Sequence, residues 1–432
     1  MNDPTLRIDS NKPQMNPAHL SAHPSLPLGP AVRVEVVLGR AIAHASDITV
    51  TDILVRVIGS GQGVSNTRTP LNLCLVIDRS GSMDGQPLSC VRDACNYVVR
   101  QLGPSDILSI VTFEENVDIV LPAKHVTEPG LISAYIDRIT AGNTTNLFDG
   151  LYAGGVQVTS VPLSGYASRL ILLTDGEPTA GIRDHASILR QVEQLRSQGV
   201  AVSAMGFGPD YQEDLMAGIA RAGGGSYTYI SAAEDIVGAF KKELSSAMAI
   251  VATKPRLQFE LPDNNRLLTT VELDLPDIEA GTVIDRLISI ESGPRGTGTY
   301  RIGKVTLDAT NPASKQTLRT TADAAVVFAD QANASLQPLH PAIAKAKGMH
   351  TAAVNLERTL SSMRTMSFSA RDVTASLERT QQLLVDTGQV DAAAQVADAT
   401  RAFQAGNQDH LEKTLIGTLY ALDLGKHSGG AS

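Results

Sequence analysis

Residues 71–77 read LNLCLVI, a continuous apolar run of the kind that forms a strand covered on both faces. The next segment, QPLSCVRDACNYVVRQL, sets Leu88, Val91, Cys95, Val98 and Leu102 at helical spacing. The alternation then repeats. ILSIVTF (107–113), VDIVL (117–121), SRLILLT (168–174), VAVSAMGFG (200–208) and GSYTYI (225–230) read as strands, most of them separated by predicted helices over 146–160, 185–198, 211–222 and 233–249. Buried strands alternating with helices predict an α/β fold, a doubly wound, mostly parallel, Rossmann-like sheet wrapped on both sides. VDIVL follows its predecessor after three residues, too few for a crossover, so it is expected as an antiparallel edge hairpin.

The flanks have a different texture. AVRVEVVLGRAIA (31–43) and ITVTDILVRVIG (48–59) are β-branched and partly alternating, and read as antiparallel strands followed by a polar linker, GSGQGVSNTRTP. Past Thr253, RLQFELP, LLTTVELDL, VIDRLISIES, TYRIGKVTLDA and LRTTADAAVVFA form a strand-rich block. Two strands alone expose too much edge to be stable, so 31–60 and 251–330 are expected to share one β-sandwich into which 71–250 is inserted. Alanine-rich amphipathic segments around 341–361, 369–386, 389–405 and 408–424 predict a helical bundle over 340–425. Residues 1–30, rich in proline and polar side chains, are expected as a flexible tail.

Composition narrows the functional classes. Apolar residues make up 43% of 432, enough for a substantial core, and the net charge of −9 with no tryptophan argues against a nucleic-acid binder. Cys74, Cys90 and Cys95 lack framework spacing and are read as reduced, small hydrophobes. The N-terminus shows no basic-then-apolar export pattern, and no apolar run approaches the ~18 residues of a membrane span. The expectation is a cytoplasmic chain with no membrane partner.

The chemistry concentrates in VIDRSGSMDG, residues 76–85. The first strand of the α/β region ends on Asp78, with Ser80 and Ser82 at alternate positions beyond it and Gly81 and Gly85 easing the turn. In a doubly wound sheet, ligands bind outside the carboxyl ends of the strands. A carboxylate with two hydroxyls and no adjacent histidine makes a poor nucleophilic triad. It makes a good partial shell for a hard divalent cation. On this segment alone, an Asx/Ser turn capping the next helix is an equally good reading. Two more segments favour the cation: ILLTDGEPT ends another buried strand at Asp175, and AGNTTNLFDGL carries Thr144 and Thr145 into a loop before a helix.

Together DRSGS, the TTN turn and TDG resemble the metal-ion-dependent adhesion site of a von Willebrand factor type A domain, over roughly residues 71–250. The Asp-x-Ser-x-Ser motif of that family matches Asp78, Ser80 and Ser82; its loop threonine matches Thr145 better than Thr144, and its distal aspartate matches Asp175. Where integrin β subunits carry paired aspartates for a second metal, this chain has Gly85 and Gln86 with Asp84 alone nearby, so that second site is expected to be missing. The flanking layout resembles bacterial inter-α-trypsin-inhibitor-like proteins. The resemblance implies a non-enzymatic module that binds Mg²⁺ (or Mn²⁺ or Ca²⁺) and, through the ion, an Asp or Glu of a protein partner. Its alternative is an adaptor beside an AAA+ ATPase or a metal-insertion machine. A metal-dependent hydrolase is the third reading, weakened by scattered histidines of which His125 and His185 alone fall in the sheet region. Glu177, beside the site, reads as a solvated loop acid.

Overall fold

The computed structural model describes residues 31–60, 68–269, 273–330, 337–365 and 367–428. The tail expected over 1–30 and most of the linker before Leu71 lie outside them.

The chain opens with β1 (Val32–Leu38), β2 (Ile42–His44) and β3 (Thr49–Gly59). The run 31–43, expected as one strand, breaks after Leu38. There Gly39 N–H donates to Asp52 O at 2.7 Å. A Cβ on residue 39 would sit 3.0 Å from that same oxygen. The turn sends β2 to a different sheet from β1.

The inserted region comprises β4 (Leu71–Asp78), α1 (Gln86–Gln101), β5 (Ile107–Phe113), β6 (Val117–His125), α2 (Pro129–Ile136), α3 (Leu147–Thr159), β7 (Ala167–Thr174), α4 (His185–Gln198), β8 (Val200–Phe207), α5 (Glu213–Gly223), β9 (Gly224–Ile230) and α6 (Ile236–Met248). Its sheet runs β6-β5-β4-β7-β8-β9, parallel except for β6, which pairs antiparallel with β5 at the edge as expected. Every residue of β4, β5 and β7 is buried, which is why those stretches read as unbroken apolar runs. Helices α1 and α6 cover one face, with Val91, Val98 and Phe240 fully buried; α3, α4 and α5 cover the other, with Leu151, Val192 and Ile219 fully buried. At roughly 1.5–3 kcal/mol for each aliphatic side chain removed from water, these two layers hold the sheet. Helix α2 escaped the sequence reading: it has eight residues, too few for the buried pair Ile132 and Ile136 to stand out as a period.

Strands β10 (Ile250–Glu260), β11 (Asn265–Leu267), β12 (Ile278–Glu279), β13 (Thr282–Ser292), β14 (Gly298–Thr310) and β15 (Thr317–Ala329) follow. β13 pairs antiparallel with β3 along all but its first residue, from Val283 opposite Ile58 to Ser292 opposite Thr49. β1-β3-β13-β11 makes one sheet and β12-β10-β14-β15-β2 the other, enclosing Val34, Val55, Ile288, Val305 and Phe328. The strands before and after the inserted region therefore build the same sandwich. The strand expected over LLTTVELDL does not form among the described residues: Leu267 ends β11, and Asp274 makes a single bridge to Arg256.

Helices α7 (Pro341–Arg364), α8 (Ala370–Asp386), α9 (Val390–Gln404) and α10 (Gln408–Asp423) pack in succession, and β16 (Lys426–Ser428) returns to pair with β13. Their core is not self-contained. Leu356, Leu377, Val396, Leu411 and Leu415 are continuous with Ile219 and Tyr227 of α5 and β9. Tyr420 O–H donates to Gly225 O at 2.8 Å, and Lys347 on α7 pairs with Asp52 on β3 at 2.5 Å. The helical region thus rests on both other regions. Among the described residues no helix is long and apolar enough to cross a membrane.

Candidate metal centre

β4 and β7 are neighbours in register, Leu71 opposite Ala167 through Ile77 opposite Leu173. Their carboxyl ends therefore deliver Asp78 and the Thr174-Asp175 pair to one edge of the sheet. The helices that follow, α1 and α4, leave to opposite faces, which opens the crevice expected at a switch point.

Asp78 is fully buried. Its Oδ1 accepts the Ser80 N–H at 2.8 Å and its Oδ2 accepts the Thr174 hydroxyl at 2.5 Å. Beyond it a single helical turn, Gly81–Met83, anchors the fully buried Met83 in the core beneath α1. With residue 83 facing inward, Ser80 and Ser82 lie with their hydroxyl oxygens 3.2 Å apart, and both donate to Asp175 Oδ1, at 3.3 and 2.9 Å. Helix α1 is capped by Gly85, at φ 82°, with no side-chain bond. Asp78 does make an Asx turn with the Ser80 N–H, but no side-chain oxygen of Asp78, Ser80 or Ser82 caps the Gly81–Met83 turn or α1.

Thr145 arrives from the third loop. Helix α3 lies close on the sheet because glycines face it: a Cβ at Gly154 would come 2.4 Å from Val76 Cγ2, and one at Gly150 2.7 Å from the Phe113 ring. This brings the start of α3 to the carboxyl edge. There Thr145 N–H donates to Thr179 Oγ1 (2.9 Å), and Thr145 O accepts from Thr179 and Ala180 N–H (3.0 and 3.2 Å). Gly81 N–H to Asn143 O and Gly142 N–H to Arg79 O join the same loop to the Asp78 turn, at 3.2 and 2.6 Å. Thr145 is only 4% exposed, and among the described residues no hydrogen bond engages its hydroxyl. That hydroxyl lies 3.5 Å from where a Cβ on Gly176 would be, beside Asp175. The neighbouring Thr144 Oγ1 is fully buried without a hydrogen-bond partner.

The five residues singled out in the sequence are thus brought to one crevice from three loops. Electrostatically they lack a counter-charge. Asp78 and Asp175 make no ion pair among the described residues. Burial pushes the Asp78 carboxyl up to about 6, against the opposing pull of the Thr174 and Ser80 hydrogen bonds. Burial likewise raises Asp175 above the usual carboxylate range. Arg79, inside the motif, turns away to Glu114 and Asp118 at 3.4 and 2.7 Å.

Two buried carboxylates without a cationic side chain, three hydroxyl-bearing neighbours and an all-oxygen donor set fit a small hard divalent cation. Among the described residues no group of three or more His, Cys, Asp or Glu side chains is placed to hold a metal ion. Cys74, Cys90 and Cys95 are free thiols. His185 lies in an exposed contact with Gln212 (2.6 Å).

The sequence reading missed the residues that hold this arrangement. Thr174 fixes Asp78, and Thr179 fixes Thr145. Glu114, whose carboxyl is held low chiefly by the Glu115 N–H, accepts from Asn116 N–H (3.2 Å) and Asn143 N–H (3.4 Å). Thr174 was findable, as a hydroxyl residue closing an otherwise apolar strand; the roles of Thr179 and Glu114 depend on loop conformations that no spacing encodes.

The family model for the von Willebrand factor type A domain matches residues 72–243. Residues 72–243 form a von Willebrand factor type A (VWA) domain. An uncharacterized protein of Synechocystis is 33% identical over 194 residues, covering 45% of this chain and 46% of that protein. Inter-alpha-trypsin inhibitor heavy chain H1 of Bos taurus is 32% identical over 147 residues, covering 32% of this chain and 16% of its own length. The chain spans less than half the length of the curated relatives it matches here. A solved structure, the von Willebrand factor type A protein from Catenulispora acidiphila, superposes with a TM-score of 0.69 at 17% identity, covering 87% of this chain and 91% of that one. That likeness extends the shared fold beyond the VWA domain to the flanking sandwich and helices.

Proposed function

We propose that the VWA domain is a divalent-cation-dependent protein-binding module and that Asp78, Ser80, Ser82, Thr145 and Asp175 hold its metal. The observation that carries this reading is the pair of buried, unpaired carboxylates, Asp78 and Asp175, set among hydroxyls at the edge of the sheet. Mg²⁺, Mn²⁺ or Ca²⁺ would supply the missing positive charge and an electrophilic position for a carboxylate oxygen of a partner. The residues of the chain do the rest. Thr174 and the Ser80 N–H hold Asp78 in place. The Ser80 and Ser82 hydroxyls, which add no charge, leave the two carboxylates to balance the ion. The threonine loop is fastened to the Asp175 loop through Thr179. Among the described residues no nucleophile–histidine pair adjoins these side chains, which favours binding over hydrolysis.

Titration calorimetry with Mg²⁺ on the intact chain and on Asp78→Ala and Asp175→Ala variants tests the assignment. Binding in the parent and none in folded variants is the expected result. Undiminished Mg²⁺ binding in both variants would overturn it.

A further inference from the structure

The rim around the proposed metal site carries a charge pattern that selects its partner. Five separate loops meet at the carboxyl edge of the sheet, following β4, β5, β7, β8 and β9, and each presents an exposed acid: Asp84, Glu115, Glu177, Asp210 and Glu234. The exposed basic side chain in these loops is Arg183, which Asp184 follows immediately. Arg79, the other arginine there, is engaged by Glu114 and Asp118.

Inside the rim sits the uncommitted Thr145 hydroxyl on a residue 96% buried, an unpartnered polar group beside Asp175 that marks a ligand position independently of the surface charge. With both carboxylates ionised, a divalent ion brings the centre to a formal charge of zero. The field an approaching ligand meets is then set by the rim, and it is negative. A carboxylate alone, or one among other acids, is repelled before it reaches the ion. A carboxylate flanked by lysines or arginines is drawn in, with its basic neighbours facing the rim acids.

We propose that this VWA domain binds a basic protein segment that presents a single Asp or Glu between positively charged residues. This rests on the metal-dependent binding proposed above and specifies the partner of that same site.

The test uses the intact chain and three synthetic peptides: one Asp among lysines, the same Asp among glutamates, and the lysine peptide with Asn for Asp. Affinities are measured by fluorescence anisotropy in Mg²⁺ at low and high salt. A second protein, Asp84→Asn/Glu115→Gln/Glu177→Gln/Asp210→Asn, removes exposed rim charge without touching the proposed ligands. The expected result is at least about tenfold tighter binding of the lysine–Asp peptide than of either other peptide. That advantage over the glutamate peptide shrinks as salt screens the rim and in the four-site variant. Equal affinities for the lysine and glutamate peptides, an Asn peptide that binds as well as Asp, no binding of any peptide, or a preference unchanged in the four-site variant would each overturn the proposal. Calorimetry separates the two levels. Mg²⁺ binding with any of those outcomes removes the partner assignment alone, whereas no Mg²⁺ binding in the parent removes the metal reading and the partner with it.

Discussion

Ser82 donates its hydroxyl hydrogen to Asp175 Oδ1 at 2.9 Å, joining two loops that lie 93 residues apart in the chain. In the same place Ser80 donates to the same oxygen at 3.3 Å. A single carboxylate oxygen thus gathers both motif serines, while the buried charge it carries is left without a cation.

Asp175→Asn keeps an oxygen that can accept both hydroxyls and removes the charge. In EDTA this variant is expected to melt at or above the parent temperature, because an uncompensated buried charge is lost. With Mg²⁺ the parent gains stability and the variant does not. Thermal unfolding of both proteins with and without the ion checks this; a Mg²⁺-dependent rise in the variant equal to the parent's would count against Asp175 as a ligand.

The raised Asp78 pKa fixes the sign of a pH effect. Its ordinary value is 3.8 and its value in the fold is about 6, so the folded protein holds the proton more tightly than the unfolded chain. Its stabilising contribution is complete below about pH 3.8 and is lost as pH rises through about 6, a loss of roughly 3 kcal/mol in the absence of metal. A bound cation takes the place of that proton. The difference in melting temperature between Mg²⁺ and EDTA should therefore widen from about pH 5 to about pH 7.5. A flat difference would contradict it.

At the opposite end of the same sheet, Arg169 and Glu243 form a buried ion pair at 2.6 Å, each side chain 4% exposed. Burial raises the Glu243 pKa, but the Arg169 charge and the Ser203 and Ser226 hydroxyls more than offset it and hold the carboxyl ionised. Arg169→Ala strands that carboxylate and should destabilise the fold by about 3–5 kcal/mol in urea titration. The Arg169→Met/Glu243→Leu double variant should recover much of the loss. A loss under about 1 kcal/mol in the single variant would show that water reaches Glu243.

Leu415 on α10 is fully buried in a core shared with the VWA domain. Leu415→Ala should lower stability by about 2–5 kcal/mol. Because the core is continuous, unfolding should remain one transition. The chain lacks tryptophan, so tyrosine emission, which includes Tyr211, Tyr227 and Tyr420 at this junction, can follow it against far-ultraviolet circular dichroism. Two separated transitions would mean that the helices unfold independently.

Much of the site could be read along the chain because the strands that carry it are buried on both faces. LNLCLVI and SRLILLT announce where β4 and β7 end, and the first oxygen-bearing residues beyond those ends are Asp78 and Asp175. The edge hairpin was legible for a simpler reason, a three-residue connection that admits no crossover. Thr174 went unnoticed because it belongs to the strand by position and to the site by its hydroxyl. Helix α2 is too short to declare a period, and the break between β1 and β2 depends on the approach of Gly39 to Asp52 from another strand.

By itself the sequence determined the alternation of buried strands and amphipathic helices, and with it the position of each oxygen ligand at a strand end or loop, since those depend on local patterning. Tertiary structure decided that β3 and β13 become neighbours across more than 200 residues, that the Ala-rich helices share their core with α5 and β9, and that five loops carrying exposed acids lie at one edge of the sheet. These are contacts between segments distant in sequence. Their partners are chosen by which apolar faces remain uncovered once the local elements have formed, and no run of residues carries that information alone.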